Sequence, residues 1–241
     1  MFWELAPDQL TLEPNHIHVW RIALDLPASR VDDLRALISR DELARADAFY
    51  FPEHRVRFIV AHASVRMILA RYARRAPRDL VFATDAFGKP ALVQPAPVLR
   101  FNLAHSEHLA LCAITRDAPI GIDVELIKPL ENLDELAARF FSPHEIAALR
   151  ALSADQRTRG FYACWTRKEA YIKAVGKGLR EPLDQFAVSL APNEPARLLF
   201  ARDDPHAAEQ WSLFALEPAP GYIGASAIHA RARVLQGWRL D

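Results

Sequence analysis

An acidic and a basic side chain lie one helical turn apart in the segment Phe161–Leu179, at Glu169 and Lys173. The segment contains no proline and has Gly176 and Gly178 near its end, so the sequence predicts a single helix that stops there. Residues four apart share a helical face, which stacks Glu169 and Lys173 at the edge of an apolar stripe. The pair could face a cleft with shifted pKa values, or it could be an ordinary surface pair that adds about 0.3 kcal/mol. Spacing alone leaves both interpretations open.

Lys168 interrupts the apolar stripe of this predicted helix. The stripe consists of Phe161, Cys164, Trp165, Ile172 and Val175. An ammonium among these residues would be costly without compensation. We therefore expect Lys168 to have an anionic partner or a route to solvent.

Two further carboxylates occur two residues apart in the segment Gly121–Glu125, at Asp123 and Glu125. The segment is typical of a strand, in which residues two apart face the same side. Adjacent carboxylates repel each other unless a cation lies between them, and Mg2+ prefers such oxygen ligands together with substrate phosphates. The alternative is a solvated strand face, because polar residues often alternate along strands. With Glu169 added, three carboxylates and nearby lysines suit a metal–diphosphate site.

His105 lies near the end of a predicted strand, in the segment Phe101–Ser106, at a position where ligand contacts are common. It could donate a hydrogen bond to phosphate or act as an acid or base, although a loop histidine is more often merely exposed. No Gly-x-Ser-x-Gly motif supports a serine hydrolase, and the chain has neither a P-loop nor a dinucleotide fingerprint.

The 241 residues include 30 basic and 30 acidic side chains, so no overall field favours nucleic acid or an anionic membrane. No apolar stretch approaches membrane-spanning length, and the first residues lack the pattern of a secretory signal. Cys112 and Cys164 lie in apolar runs without metal-type spacing. We expect a reduced, cytoplasmic protein that binds neither nucleic acid nor membranes.

Helices followed by strands occur twice along the chain, once before and once after about residue 118. Helical patterns follow Val31, Ser39, Pro52, Pro129 and Ser142, and predicted strands cover Ile17–Leu24, Leu80–Ala83, Leu99–Leu103, Leu109–Thr115 and Ile120–Leu126, with more strands from Phe186 onward. Capping-box signatures occur at Ser39 with Glu42 and at Ser142 with Glu145. The order of elements predicts an α+β fold of two similar halves, residues 1–118 and 119–241, with the active site in a cleft between them.

Five segments together resemble the signature of the 4'-phosphopantetheinyl transferases, specifically the larger, monomeric, surfactin-type group. They are Phe87–Pro90 (FGKP), Phe101–Ser106 (FNLAHS), Ile120–Glu125 (IGIDVE), Phe140–Glu145 (FFSPHE) and Trp165–Lys173 (WTRKEAYIK). Each segment is weak alone, whereas five in the correct order and spacing are specific. The resemblance extends more loosely from about Ile38 to Leu190, and it implies two halves related by a pseudo-two-fold axis.

The resemblance also implies a reaction. Members of this family transfer the 4'-phosphopantetheine arm of coenzyme A to a serine of an apo acyl or peptidyl carrier protein and release 3',5'-ADP. By this resemblance Asp123, Glu125 and Glu169 would hold Mg2+ on the diphosphate. Glu169 would also be the base for the serine, directly or through a metal-bound water, and Lys173 would contact the α-phosphate. The catalytic residues implied are Glu169, Lys173, Asp123 and His105.

The coenzyme A contacts implied by the resemblance lie mostly in the first half. They are Arg45, Arg57, Gly88, Lys89, Pro90, His105, Ser106 and Lys173. Arg45 and Arg57 would meet the 3'-phosphate, and Gly88 to Pro90 would lie near the adenine. Two residues depart from the family pattern: Glu42 stands where a basic contact is common, and Glu107 stands where glycine is usual.

By the same resemblance, the carrier protein would dock across the junction of the halves, on apolar residues after Lys128; the sequence itself shows only Leu130, Leu133 and Leu136 at a usable spacing. Two other functions stay possible from the sequence. One is an inactive relative that binds carrier proteins as a scaffold, which the intact acidic and basic signature argues against. The other is a metal-dependent phosphodiesterase acting on nucleotides, which would release the arm to water.

Overall fold

The computed structural model describes residues 3–85, 88–94, 99–116, 118–176, 182–230 and 234–240. The chain divides into two compact units. The first contains the described residues up to 116 together with 235–240, and the second contains those of 118–234. The predicted boundary near residue 118 agrees with this division, but the prediction assigned the last residues to the second half. Phe87 and Gly178, which belong to the sequence patterns above, lie outside the described residues.

The described residues form twelve strands and seven α-helices. In chain order they are β1 (Glu4–Leu5), β2 (His16–Ala23), α1 (Ala28–Arg35), α2 (Arg40–Asp47), α3 (Pro52–Ala73), β3 (Val81–Thr84), β4 (Pro90–Gln94), β5 (Leu99–Ser106), β6 (Leu109–Arg116), β7 (Ile120–Leu126), α4 (Leu133–Phe140), α5 (Pro143–Arg150), α6 (Ala154–Val175), β8 (Phe186–Val188), β9 (Leu198–Ala201), α7 (Ala207–Gln210), β10 (Ser212–Leu216), β11 (Tyr222–Ile228) and β12 (Val234–Arg239).

Each unit has its own sheet. The first unit contains a five-stranded sheet in the order β1-β12-β2-β6-β5 and a separate ladder of β3 and β4. The second contains a three-stranded sheet in the order β10-β11-β7 and a separate ladder of β8 and β9. The final strand β12 therefore returns to the sheet of the first unit.

The two units repeat one order of elements. Each has a strand, β2 or β7, followed by helices of 8, 8 and 22 residues. Each then forms a small two-stranded ladder and an antiparallel hairpin, and the second hairpin strand pairs with β2 or β7. The short strand β1 precedes this repeated order in the first unit. The predicted α+β fold is confirmed, and a duplicated unit explains why the sequence pattern occurs twice.

Both predicted capping boxes form. Ser39 N donates to Glu42 Oε2 at 2.8 Å and Glu42 N donates to Ser39 Oγ at 3.2 Å, which begins α2. Ser142 N donates to Glu145 Oε2 at 2.8 Å and Glu145 N donates to Ser142 Oγ at 3.3 Å, which begins α5. Each box satisfies backbone donors that the first helical turn would leave unpaired.

The predicted helix at Phe161 begins seven residues earlier, at Ala154, and its last helical residue is Val175. Gly176 ends it in a left-handed conformation at φ 80°, as its position predicted. The early turns escaped prediction because residues 154–160 are mostly polar and include Gly160, so they continue no apolar stripe. The helix packs on β7 and β11, and it is buried on most of its circumference.

Three strands of the first unit were not predicted. Strand β1 is only two residues long, too short to show a periodic pattern. The residues of β4 begin with Pro90, which lacks a backbone N–H and usually indicates a turn. The strand β12 contains Gly237 and was not recognised as a partner of β2, because its pairing joins residues far apart in sequence.

Candidate active site

Strand β7 carries Asp123 and Glu125 against helix α6. In the ladder with β11, Asp123 lies opposite Ala225. Gly121 makes the close approach of strand and helix possible, because a Cβ at this position would overlap the carbonyl oxygen of Ala170 and lie 2.5 Å from Ala174 N. Backbone can approach this closely only where a side chain is absent.

Lys173 reaches from α6 to the carboxylate of Asp123. Its Nζ donates to Asp123 Oδ1 at 2.6 Å, and the Asp123 side chain is 7% exposed. The second oxygen, Oδ2, is buried and has no hydrogen-bond partner among the described residues. Leaving a buried carboxylate oxygen unpaired is costly, so this atom indicates a place for a cation or another donor. A solvated strand face, one of the two sequence interpretations, does not fit this burial.

The three carboxylates predicted as metal ligands influence one another. Burial raises the pKa of Asp123 from 3.8 to about 7, while Lys173 opposes the shift and Glu169 and Glu125 add to it. Burial also raises the pKa of Glu169, which Lys173 opposes and Glu125 reinforces. A group of like charges near one ammonium has the electrostatics of a cation site.

The donor set suits Mg2+, which prefers carboxylate oxygens. Within the described ranges, no three acidic, histidine or cysteine side chains are already arranged to hold a metal ion. Lys173 instead neutralises one oxygen of Asp123, and the unpaired Oδ2 offers a ligand atom. Asp123, Glu125 and Glu169 therefore fit a magnesium ion in their chemistry, and the metal site stays a prediction.

Lys168 has the anionic partner that its position requires. Its Nζ donates to Oε1 and Oε2 of Glu145 at 2.8 and 2.7 Å, and to the carbonyl oxygen of Phe186 at 2.7 Å. Both side chains of the ion pair are 0% exposed. The ammonium also lies 4.1 Å from the centroid of the Phe186 ring. Lys168 is thus fully bonded inside the second unit and does not line the group of carboxylates.

Glu42, the first departure from the family pattern, has a structural role. Its carboxylate caps α2, accepts from Arg66 Nε at 2.8 Å and lies 2.9 Å from His62 Nδ1. Burial alone would raise the pKa of Glu42, but hydrogen bonds from His62 and Ser39 and the charge of Arg66 lower it from 4.5 to about 2. The negative charge is therefore compensated locally.

Gly88, Lys89 and Pro90 form a tight turn that leads into β4. Gly88 has φ 84° and donates from its N–H to Asp85 O at 3.0 Å, while Lys89 N donates to Asp85 Oδ1 at 2.9 Å. The positive φ explains the glycine. Burial lowers the pKa of Lys89 from 10.5 to about 8; the charge of Asp85 opposes this lowering, and the charge of Arg100 adds to it.

The guanidinium of Arg57 is held by acidic side chains. Its Nε donates to Asp25 Oδ1 at 3.3 Å and its Nη1 donates to Glu107 Oε2 at 3.4 Å. His108 contacts both Arg57, at 2.9 Å from Nη2, and Asp25. The sequence did not reveal Asp25 and His108, because no local motif connects them with Arg57. Glu107, the second departure, has φ 50°, which explains why glycine is favoured there.

The remaining predicted contacts also lie in the first unit. His105 is exposed and Ser106 is half-buried at the end of β5. Arg45 is exposed in the last turn of α2, with its guanidinium carbon 5.2 Å from the Phe58 ring centroid. The convergence of these residues on one ligand stays a prediction.

The chain is similar to several known proteins. The profile of the 4'-phosphopantetheinyl transferase superfamily matches residues 119–225, which include the carboxylate group. The 4'-phosphopantetheinyl transferase HetI of Nostoc sp. is 42% identical over 94% of this chain and 93% of its own length. The 4'-phosphopantetheinyl transferase Sfp of Bacillus subtilis is 36% identical over 71% of this chain and 76% of its own. Among solved structures, the holo-[acyl-carrier-protein] synthase of Thermotoga maritima matches 47% of this chain and 64% of its own, with 20% identity and a TM-score of 0.38.

The described residues have a mixed α+β fold, and the matched relatives are transferases. The chain belongs to the 4'-phosphopantetheinyl transferase family, and its relatives place it in the Sfp-like group. The family predicted from the five sequence segments is confirmed. No helix in the described part of the chain is both long and apolar enough to cross a membrane.

Proposed function

We propose that this protein transfers the 4'-phosphopantetheine arm of coenzyme A to a serine of an apo acyl or peptidyl carrier protein. The serine Oγ forms a bond to the phosphorus that carries the arm, the diphosphate P–O bond breaks, and 3',5'-ADP leaves. The serine proton passes to a base. The observation that carries the proposal is the buried carboxylate of Asp123, with one oxygen on Lys173 and the other unpaired, in a chain that belongs to this family.

Glu169 is the base for the serine hydroxyl in this proposal. Its half-buried position raises its pKa, which makes it a stronger proton acceptor than an exposed glutamate. Lys173 lies one turn away and is 30% exposed, so its ammonium can turn from Asp123 to a phosphate oxygen and stabilise the charge on the leaving group. Phosphoryl transfer depends mainly on such positioning and charge neutralisation.

Mg2+ is proposed as the cofactor, held by Asp123, Glu125 and Glu169. When bound, it supplies charge neutralisation at the diphosphate. Asp123 supports this assignment best, because its unpaired Oδ2 is buried beside a charged amine. Asp123 in its charged form needs the cation more than an exposed carboxylate would, since burial penalises that form.

Coenzyme A is proposed to contact Arg45, Arg57, Gly88, Lys89, Pro90, His105 and Ser106. Lys89 supports this assignment because its amine is already desolvated and follows a backbone turn fixed by Asp85. Arg57 must share its guanidinium between a phosphate and the acids that now hold it.

The carrier protein is proposed to contact Leu130 and Leu136, which are partly exposed, whereas Leu133 is buried in the core.

Mass spectrometry tests the reaction directly. Apo carrier protein, coenzyme A and Mg2+ are incubated with this protein, and we expect the carrier mass to increase by one phosphopantetheine. Asp123→Asn should abolish the increase, and Asp184→Asn, a change at an exposed carboxylate of the same unit, should preserve it. If none of several carrier proteins gained this mass, the proposal would be refuted.

The same experiment separates the alternatives. A scaffold that only binds carriers would retain the carrier without changing its mass. A phosphodiesterase would release 3',5'-ADP and free phosphopantetheine in the absence of any carrier, which chromatography of the nucleotides would detect.

We also propose that the protein is a monomer that works in the cytoplasm. The two cysteines, Cys112 and Cys164, are free and buried, which suits a reducing compartment. Light scattering at two protein concentrations would test the monomer, and a mass near twice the 27.2 kDa of the chain would contradict it.

A further inference from the structure

A fully buried ion pair lies next to the predicted catalytic base in sequence. Lys168 donates to both oxygens of Glu145, and neither side chain is exposed. Glu145 also accepts from Ser142 N and from Val188 N, each at 2.8 Å. The pair therefore joins α5, α6 and β8 at one point inside the second unit.

Fixing Lys168 also fixes the rotation of α6 about its axis. Successive helical residues are about 100° apart, so a lysine held inward determines the direction of Glu169, and of Lys173 one turn later. The close approach of α6 to β7 at Gly121 limits how far the helix could otherwise adjust. A rotated helix would carry Glu169 away from Asp123 and Glu125 without unfolding the unit.

The first unit contains the same pair without the acidic site. Arg66 is the fifteenth residue of α3 and Lys168 is the fifteenth residue of α6. Arg66 pairs with Glu42, which caps α2 as Glu145 caps α5, and it donates to the Leu80 carbonyl oxygen at 3.0 Å. The cation thus bonds a capping glutamate in both units.

The residues adjacent to the paired cation differ between the units. Arg66 is succeeded by Met67, whereas Lys168 is succeeded by Glu169. The first unit also has Trp20 on β2, with the guanidinium carbon of Arg71 5.3 Å from the ring centroid. Arg71 is the twentieth residue of α3, as Lys173 is of α6. The ion pair between a helix cation and a capping glutamate therefore occurs in both units, whereas the carboxylates of the predicted metal site occur only in the second among the described residues.

Stability is a poor explanation for a buried ion pair, because apolar residues of similar volume usually stabilise a core as well or better. Geometry is the better explanation. We propose that the Glu145–Lys168 pair is a positioning device that holds Glu169 in the metal site, so that the pair determines Mg2+ affinity without contacting the ion. This inference rests on the proposed function for the identity of the metal site.

The chain offers a matched test in its two copies. Lys168→Met and Arg66→Met each leave a capping glutamate without its cation, and each should lower the melting temperature. We expect Lys168→Met to raise the Mg2+ concentration for half-maximal thermal stabilisation, and for half-maximal transfer, by about tenfold or more. Arg66→Met should leave both Mg2+ midpoints within about twofold of the wild-type values, because Met67 and Trp20 bind no metal.

Glu145→Gln is the milder second variant in case Lys168→Met does not fold. It leaves Lys168 one amide oxygen and the Phe186 carbonyl oxygen, so we expect a smaller rise of the Mg2+ midpoint. Wild-type midpoints in the folded variants of the second unit would overturn the inference, as would equal shifts in the variants of both units. A wild-type protein that transfers nothing and gains no stability from Mg2+ would instead overturn the proposed function.

Discussion

Replacing Asp123 with asparagine should make the protein more stable while it abolishes transfer. The carboxylate is buried beside two other acids and keeps one oxygen unpaired, so its charged form is unfavourable in the folded protein without a cation. Asparagine has nearly the same shape and carries no charge. Its amide oxygen can still accept from Lys173, which is 30% exposed and can also reach water.

The magnitude follows from the pKa of Asp123, which burial raises from 3.8 to about 7. Between these values the folded protein holds a proton that the unfolded chain has released, so stability falls as the pH rises through this window. The full penalty above pH 7 is about 4 kcal/mol at most, at about 1.4 kcal/mol per pKa unit. This pKa already includes the attraction of Lys173 for the charged carboxylate, so the loss of that attraction is not subtracted again. The gain is therefore about 4 kcal/mol at most, or up to about 16 °C in melting temperature.

Thermal unfolding of wild type and Asp123→Asn in chelator-treated buffer measures this difference at a series of pH values. The melting temperature of the variant relative to wild type should increase from pH 4 to pH 7 and then level off. Added Mg2+ should raise the melting temperature of the wild type and not that of the variant, because binding to the folded state alone is stabilising. Asp184→Asn provides the matched control: it should show no pH-dependent gain over wild type, and Mg2+ should raise its melting temperature as it does that of the wild type.

A variant less stable than wild type at pH 8 without metal would refute the reasoning, because the Asp123 charge would then be satisfied in the fold. A difference that does not depend on pH would refute it as well. Retention of transfer by the variant would contradict the metal role of Asp123.

Three further predictions concern residues near the carboxylates of the second unit and near the proposed coenzyme A contacts of the first unit. Gly121→Ala should lower stability by about 2–4 kcal/mol and reduce transfer, because the added Cβ would overlap the α6 backbone. Denaturant unfolding measures the loss of stability, and a variant as stable as wild type would contradict the close approach of β7 to α6. Because the pKa of Glu42 is lowered from 4.5 to about 2, its contribution to folding stability is present above pH 4.5 and is lost as the pH falls toward 2. Acid unfolding of Glu42→Gln should therefore lack up to about 3 kcal/mol of this pH dependence. An unchanged dependence of stability on pH would contradict the contacts with Arg66 and His62. Glu107→Gly should raise stability by about 0.5–1 kcal/mol by removing backbone strain at φ 50°. A loss of stability instead would mean that the contact of Glu107 with Arg57 outweighs the strain. Thermal unfolding of the same change in an Arg57→Lys protein would separate the two effects.

Local sequence signals predicted two helix starts and placed two carboxylates on one strand face. The capping boxes at Ser39 and Ser142 identify helix starts because their partners are three residues away. The carboxylates Asp123 and Glu125 were predicted on one strand face from alternation alone, and the structure brings both into electrostatic contact with Glu169.

Contacts between distant residues could not be predicted from spacing. Glu145 and Lys168 were each singled out, but nothing in their separation of 23 residues says that they pair. Likewise Lys173 was paired with Glu169 by helical spacing, whereas it donates to Asp123, 50 residues away. The group of Asp25 and His108 around Arg57 has the same origin, since the fold brings three separate segments together.

The position of β12 bears on the order in which the protein folds. The elements of the second unit are contiguous in sequence, but the sheet of the first unit needs β12 between β1 and β2, and Leu240 N donates to Arg21 O at 3.0 Å. Contacts that span most of a chain form slowly, and an unpaired strand edge invites association with other chains. During synthesis the edge of β2 therefore stays open while the whole second unit emerges. The unit that is synthesised first is therefore completed last.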